Sequence, residues 1–163
     1  MSVTLNLAPL RRLQAQFALM GASRAHVGLF ADTAGRTNRR PGMDHNPSLG
    51  AVHEFGLSFS RRSDHATTTI PRRSFLEMPL SLYLGPELLR SGANWIELIA
   101  TRGLAHALAR LGLVGEDVVQ EAFATGGFGN WPALAPETIR RKGSSAILIE
   151  SAQMRKAISS RVV

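Results

Sequence analysis

The stretch GNWPALAPETIRRKGSS, residues 129–145, is the part of the chain around which the rest is predicted to be organised. Trp131 and Leu134 supply two apolar anchors. Pro136 suits the first position of a short helix, where its missing N–H costs nothing, and Gly143 suits the end of that helix. The pattern therefore predicts a buried aromatic side chain followed by a short basic helix that is presented on a loop.

The charge of the chain is large and unevenly distributed. Its 163 residues carry a formal net charge of +7, with a pI of about 11.4. Residues 1–73 hold ten arginines against four acids, residues 74–125 three against six, and residues 126–163 six basic residues against two acids. This composition can reflect the coding DNA, or it can indicate basic segments that face phosphate or an acidic partner.

Cysteine usage and hydropathy limit the kinds of site and the cellular compartments that the chain can be expected to have. The chain has no cysteine, which excludes disulfides and thiolate metal sites and is typical of a cytosolic product. No apolar run is long enough to span a bilayer, so no membrane partner is expected.

The first half of the chain alternates between short elements and basic loops. Apolar spacing predicts an amphipathic helix over residues 9–20, and alternation predicts a strand over 26–31. A helix over 48–55 follows a loop over 32–45. A second loop over 58–66 then leads to a strand at 67–70, which we expect to pair beside the first strand.

The second half is mainly helical. The pattern predicts a long helix from residue 85, with a break at Gly112–Gly115 and a further helix that starts at Glu116. Residues 147–149 are wholly apolar and are expected to be buried. A short helix over 152–157 and a final edge strand over 158–163 complete the chain.

These elements predict the fold class. We expect an α+β fold in a single domain, residues 1–163, in which a small antiparallel or mixed sheet is packed by an N-terminal helix and long central helices, with extended loops.

No motif for catalysis or metal binding is complete. His53-Glu54 looks like half of a zinc-protease helix, but Leu57 stands where the second histidine would be. The other histidines lack a partner at ligand spacing, and no serine lies in a nucleophile-elbow context. The run GGFG at residues 126–129 is not followed by Lys-Ser/Thr, so it is interpreted as a hinge. We therefore predict a protein that is not an enzyme and has no cofactor.

The candidate functional residues are cations and one aromatic side chain. Arginine pairs in loops are usually solvated or form ion pairs within an assembly, although they can also contact phosphate around DNA without reading its bases. The candidates for a protein interface or a DNA channel are Arg36, Arg39, Arg40, Arg61, Arg62, Arg72, Arg73, Trp131, Arg140, Arg141 and Lys142.

The order of short motifs carries a family resemblance. The motifs are GLF at 28–30, NPSLGAVHEFG at 46–56, TIPRRSFL at 69–76, WPALAPETIRRKGS at 131–144 and LIESAQMR at 148–155. This series resembles the virion morphogenesis (tail completion) family of Mu-like tailed phages and the related neck proteins of other tailed phages. The similarity covers residues 24–163, and the ordered set is more specific than any motif alone.

The resemblance implies a non-enzymatic virion protein at the head–tail junction, assembled in the host bacterial cytoplasm. It implies a homo-oligomeric ring, expected to be a hexamer, beside neck or connector proteins and the tail terminator or tail tube, with non-specific contact to DNA in the channel. Tail completion, tail termination and head closure all stay open.

Two other functions compete with this interpretation. The high pI makes a cytoplasmic nucleic-acid-binding module the main alternative. A hydrolase has only the isolated histidines in its favour.

Overall fold

A computed structural model describes residues 7–33, 46–60, 67–147 and 153–163. Elements are numbered in chain order. They are α1 (Ala8–Leu19), β1 (Ala25–Leu29), α2 (Asn46–Phe55), β2 (Leu57–Ser60), β3 (Thr67–Ile70), α3 (Glu77–Arg90), α4 (Trp95–Arg102), α5 (Leu104–Thr125), α6 (Pro136–Lys142), α7 (Gln153–Lys156) and β4 (Ile158–Val162). The α+β class with small antiparallel sheets packed by helices is confirmed.

Helix α5 is the central element of the fold. It has 22 residues and is therefore about 33 Å long. Its C-terminal half contributes Val119 and Phe123 to the main core, and its first two turns contribute Leu104 and Ala107 to a second, smaller core. The other buried members of the main core are Phe75, Ala122, Trp131, Met154 and Ile158.

The strands form two separate antiparallel pairs. Strand β1 pairs with β4, with Val27 opposite Ser160, while β2 pairs with β3, with Leu57 opposite Ile70. The prediction that residues 67–70 pair beside the first strand is therefore wrong. The predicted loop over 58–66 is wrong at its start, because β2 occupies residues 57–60.

The long helix predicted from residue 85 is three helices instead. The chain leaves helical geometry after Arg90, Asn94 caps α4 by accepting a hydrogen bond from the Glu97 amide at 3.1 Å, and Gly103 separates α4 from α5 with φ of +89°. The break predicted at Gly112–Gly115 is wrong, because α5 continues through it.

Gly112 and Gly115 serve close packing rather than helix termination. A Cβ at Gly112 would lie 2.6 Å from the Ser160 Oγ on β4, and one at Gly115 would lie 2.9 Å from Val27 Cγ2 on β1. These distances are shorter than real Cβ contacts, so the missing side chains allow α5 to lie directly on the β1–β4 pair. Glu116 accordingly lies inside α5 and does not start a helix.

The remaining local predictions are confirmed with small shifts of boundary. Helix α1 matches residues 9–20, α2 matches 48–55, α7 matches 152–157 and β4 matches 158–163. Strand β1 ends at Leu29, and a 3₁₀ turn follows at Ala31–Thr33. Of the apolar run 147–149, Ile147 packs against the main core and the other two residues lie outside the described ranges.

Candidate functional site

The segment between β3 and α3 joins α2, α3 and the loop that carries Trp131. Its central residue, Arg73, is only 4% exposed. The Arg73 Nε donates to the Pro132 carbonyl at 2.9 Å, and its Nη2 donates to the Ala133 carbonyl at 3.0 Å. Desolvation by burial lowers the pKa of Arg73 from its ordinary value, since it disfavours the charged guanidinium. Arg73 thus anchors the loop before α6.

The carboxylate of Glu54 holds the beginning of α3. Glu54 is 6% exposed, and its Oε1 accepts from the Ser74 hydroxyl at 2.5 Å and from the Glu77 amide at 3.1 Å. Its Oε2 accepts from the amides of Phe75 at 2.9 Å and Leu76 at 3.0 Å. A carboxylate at a helix N-terminus satisfies amides that lack an intrahelical partner and interacts favourably with the helix dipole. Glu54 therefore has a structural role as a cap supplied from α2.

Trp131 also contacts the segment between β3 and α3. Its indole N–H donates to the Ser74 carbonyl at 2.9 Å, and its ring meets Phe123 edge-on, with centroids 5.6 Å apart. Gly127 has φ of +69°, and a Cβ there would lie 2.3 Å from the Trp131 ring. The predicted hinge is thus a tight turn against which the buried indole packs.

The basic helix α6, which follows Trp131 in the chain, agrees with the sequence prediction. Pro136 occupies the start of α6, and Gly143 ends the helix with φ of +68°. Arg140 is exposed on α6, whereas the side chains of Arg141 and Lys142 lie outside the described part of the structure.

The two predicted cations of the β3–α3 segment, Arg72 and Arg73, have different environments. Arg72 is exposed, its Nη2 lies 2.6 Å from the Glu77 carboxylate, and its Nε donates to the Glu54 carbonyl at 3.0 Å. Arg73 and Trp131 are buried within the chain, which confirms the buried aromatic side chain predicted at residue 131 and leaves both interface or DNA-channel candidates covered in the protomer. The positions Arg36, Arg39, Arg40, Arg61 and Arg62 lie outside the described residues.

Large apolar side chains remain exposed on several helices and on the β2–β3 hairpin, and the sequence analysis included neither α1 nor this hairpin in the candidate site. At α1 they are the N-cap residue Leu7 together with Leu10, Phe17 and Leu19, which are 42%, 53%, 44% and 50% exposed. On the β2–β3 hairpin they are Leu57 and Phe59, which project from the same face because they alternate along β2. The amphipathic spacing of α1 was a signal for such a face, although spacing alone could not show that part of it stays uncovered.

A groove with an aromatic wall and an acidic rim lies between α3 and α5. Tyr83 and Phe128 stack with centroids 3.7 Å apart and an interplanar angle of 15°. The groove has a volume of about 470 Å³, and its lining consists of Tyr83, Glu87, Arg90, Asp117, Val118, Glu121 and Phe128. Glu87 forms an ion pair with Arg90. The rim thus carries three carboxylates against one guanidinium.

The described residues contain no group of three or more His, Asp or Glu side chains that could hold a metal ion. Within the same ranges, no helix is both long enough and apolar enough to cross a membrane. Glu54, half of the incomplete zinc-protease motif, is engaged at the start of α3.

Comparison of the chain with family models, curated proteins and solved structures finds no match. The resemblance to the tail completion family therefore stays a prediction from the ordered motifs.

Proposed function

We propose that this protein is a non-enzymatic structural subunit of the head–tail junction of a tailed bacteriophage. In this proposal, copies of the chain form a ring, with six as the expected number, at the head-proximal end of the tail. The ring completes the tail and joins it to neck or connector proteins on one side and to the tail terminator or tail tube on the other.

The observation that carries the proposal is the apolar surface that the protomer leaves uncovered. Leu10 and Phe17 follow one side of α1, and Leu57 and Phe59 follow one face of β2, so each element presents neighbouring exposed apolar side chains rather than a single one. A two-stranded hairpin is only marginally stable in water, and all four residues of β2 are exposed. Contacts with other subunits would cover these surfaces.

The contacts that Glu54 and Trp131 make with the segment between β3 and α3 support the same interpretation. Two of the family-like motifs, at 46–56 and 69–76, meet there through the carboxylate of Glu54, and a third meets them through Trp131. Residues of these motifs thus hold helices together, which is the role expected in a structural subunit.

The experiment that tests this function is localisation in assembled particles. An epitope-tagged copy should co-purify with complete virions, and gold-labelled antibody should mark the junction between head and tail. Deletion of the coding sequence should yield separate heads and tails. Complete, infectious particles that lack the polypeptide would refute the proposal.

The alternative, a nucleic-acid-binding module, is favoured by the net charge of +7. It predicts binding to free duplex DNA whose affinity falls steeply with salt, because binding would release counterions from phosphate. A mobility-shift titration at two salt concentrations separates the two functions, since a structural subunit needs no tight binding to free duplex.

A further inference from the structure

Helix α1 uses part of its apolar face for its own protomer and leaves the rest of that face uncovered. Leu13 packs against the small core around Ile99, and the Gln16 Oε1 accepts from the Leu104 amide at 2.8 Å. Next to Leu13 on the same apolar side of the helix, three exposed side chains, Leu7, Leu10 and Phe17, follow at spacings of three and seven residues. Such spacings place them on one helical face.

The charge of α1 is wholly positive. Arg11 and Arg12 are both exposed, and the helix contains no acidic residue. At 100° per residue, Arg11 flanks the apolar stripe at Leu7, whereas Arg12 lies on the opposite side of the helix and adds only to its overall positive charge. An amphipathic helix of this kind is suited to a groove that has apolar walls and a negative rim.

The groove between α3 and α5 has that chemistry. The Tyr83–Phe128 stack and Val118 supply apolar surface, while Glu87, Asp117 and Glu121 supply carboxylates. Its volume of about 470 Å³ accommodates a few large side chains from one helical face rather than a whole helix.

The α1 helix of the same chain is not the occupant of this groove. It is held at Leu104, whereas Asp117 lies 13 residues further along α5, which corresponds to about 20 Å. An α1 helix that keeps its own contacts can therefore reach the groove only of another copy.

We infer that the Leu7–Leu10–Phe17 stripe of α1 docks in the α3–α5 groove of a second copy, with Arg11 on the side of its carboxylates and Arg12 adding to the positive charge of the helix. The two surfaces differ, so the contact is head-to-tail, and a head-to-tail contact generates a ring when its rotation closes. The inference rests on the self-assembly in the proposed function and names the two surfaces that form it.

Charge reversal in the full-length protein tests the contact. Arg11→Glu/Arg12→Glu and Asp117→Lys/Glu121→Lys should each raise the dissociation constant for self-association about tenfold or more in analytical ultracentrifugation at low salt. Arg140→Glu/Lys156→Glu is the control for the α1 variant, since it makes the same charge change at two exposed positions on α6 and α7, which contribute no residue to either surface. Circular dichroism should show that all variants stay folded.

Mixing the two reversed variants gives the sharpest readout. In an equimolar mixture, the acidic α1 of one variant meets the basic groove of the other, and the basic α1 of the second meets the acidic groove of the first. Assembly should return as an alternating species with an even number of subunits. A mixture that stays as dissociated as its components would overturn the inference.

The apolar part of the contact has its own test. Leu10→Gln/Phe17→Gln should also raise the dissociation constant about tenfold or more, whereas Ile96→Gln, at an exposed position on α4, should leave it unchanged.

The outcomes separate this contact from the proposed function. If the wild-type chain self-associates and the reversals at both surfaces leave its affinity unchanged, the contact is wrong although the ring stands. If the chain is absent from virions while the reversed variants behave as expected, the contact stands and the head–tail role is wrong.

Discussion

Replacement of Glu54 by Gln isolates the charge of the α3 cap while it keeps the shape of the side chain. The carboxylate accepts four hydrogen bonds, two at each oxygen, whereas a carboxamide has only one oxygen. The amide can turn its nitrogen toward Ser74, whose hydroxyl then accepts a hydrogen bond instead of donating one. The amides of Phe75 and Leu76 keep their acceptor in this orientation, and the Glu77 amide loses its acceptor.

The expected destabilisation follows from two contributions. An amide without an acceptor costs about 1–3 kcal/mol in a buried site, and Glu77 lies toward the lower end because it is partly exposed. Loss of the negative charge at the start of α3 costs about 1 kcal/mol, up to about 2 in a partly buried geometry. Glu54→Gln should therefore lower the free energy of unfolding by about 2–4 kcal/mol. In a chain of this size, that corresponds to a decrease of about 5–15 °C in Tm.

Guanidinium chloride titration followed by tryptophan fluorescence measures this effect, because the Trp131 indole is bonded to the Ser74 carbonyl beside the cap. A Trp95→Phe background removes the second tryptophan. The control is Glu77→Gln, which removes an exposed carboxylate paired with Arg72 and should cost less than about 1 kcal/mol. Equal destabilisation by the two variants, or none by Glu54→Gln, would refute the assignment of Glu54 as the cap.

Three further predictions concern the packing of α5 and the Trp131 loop, and each is measured by the same denaturant titration. Gly112→Ala should destabilise the protein by about 1–3 kcal/mol, because its Cβ would lie 2.6 Å from the Ser160 Oγ. The control is Gly85→Ala, which has nothing within 4 Å of the new Cβ and should be neutral or stabilising by up to about 1 kcal/mol. Similar losses of stability at both positions would contradict the close packing of α5. Arg73→Lys should lower the free energy of unfolding by about 2–3 kcal/mol, because an ammonium group cannot reproduce the planar guanidinium that donates to two carbonyls. An unchanged free energy of unfolding would contradict the anchoring role of Arg73. Trp131→Phe should lower the free energy of unfolding by about 1–3 kcal/mol, because the Ser74 carbonyl would lose its donor and the smaller ring would pack less well. Unchanged stability would show that the hydrogen bond from the indole N–H is dispensable.

The elements that the sequence predicted well are those with signals inside a few residues. Pro136 and Gly143 mark the two ends of α6, and their effects on the backbone do not depend on the rest of the fold. The alternation in β1 and the apolar spacing in α1 are local in the same sense. These features predict where an element lies but not what it packs against.

Strand pairing was predicted wrongly because it depends on distant parts of the chain. Strand β1 pairs with β4, so that Leu29 lies opposite Ile158, and β-branched composition does not specify such a partner. Gly112 was interpreted wrongly for a related reason. A glycine within a helical pattern can end the helix or allow a close neighbour, and the deciding neighbour, Ser160, lies 48 residues away in the sequence.

The pair Arg72-Arg73 shows the same limit within the candidate site. Two adjacent arginines look equivalent in sequence, yet Arg72 forms an exposed ion pair and the buried Arg73 donates to two backbone carbonyls. Their difference comes from Pro132 and Ala133, which approach Arg73 from about 60 positions further along the chain. A prediction that treats every arginine as a surface cation therefore overestimates the surface charge of this segment.

The two polar caps explain why the outer surfaces of the protomer remain available. The start of α3 depends on Glu54 from α2, and the start of α5 depends on Gln16 from α1. Each cap fixes one edge of the donor helix and leaves its other faces unconstrained, because a hydrogen bond needs one side chain rather than a complementary surface. In α1, the Gln16 bond and the packing of Leu13 hold the helix in place while Leu10 and Phe17 stay exposed. A chain that used apolar packing alone to seat α1 would bury that stripe and would lose the surface that a neighbouring subunit can cover.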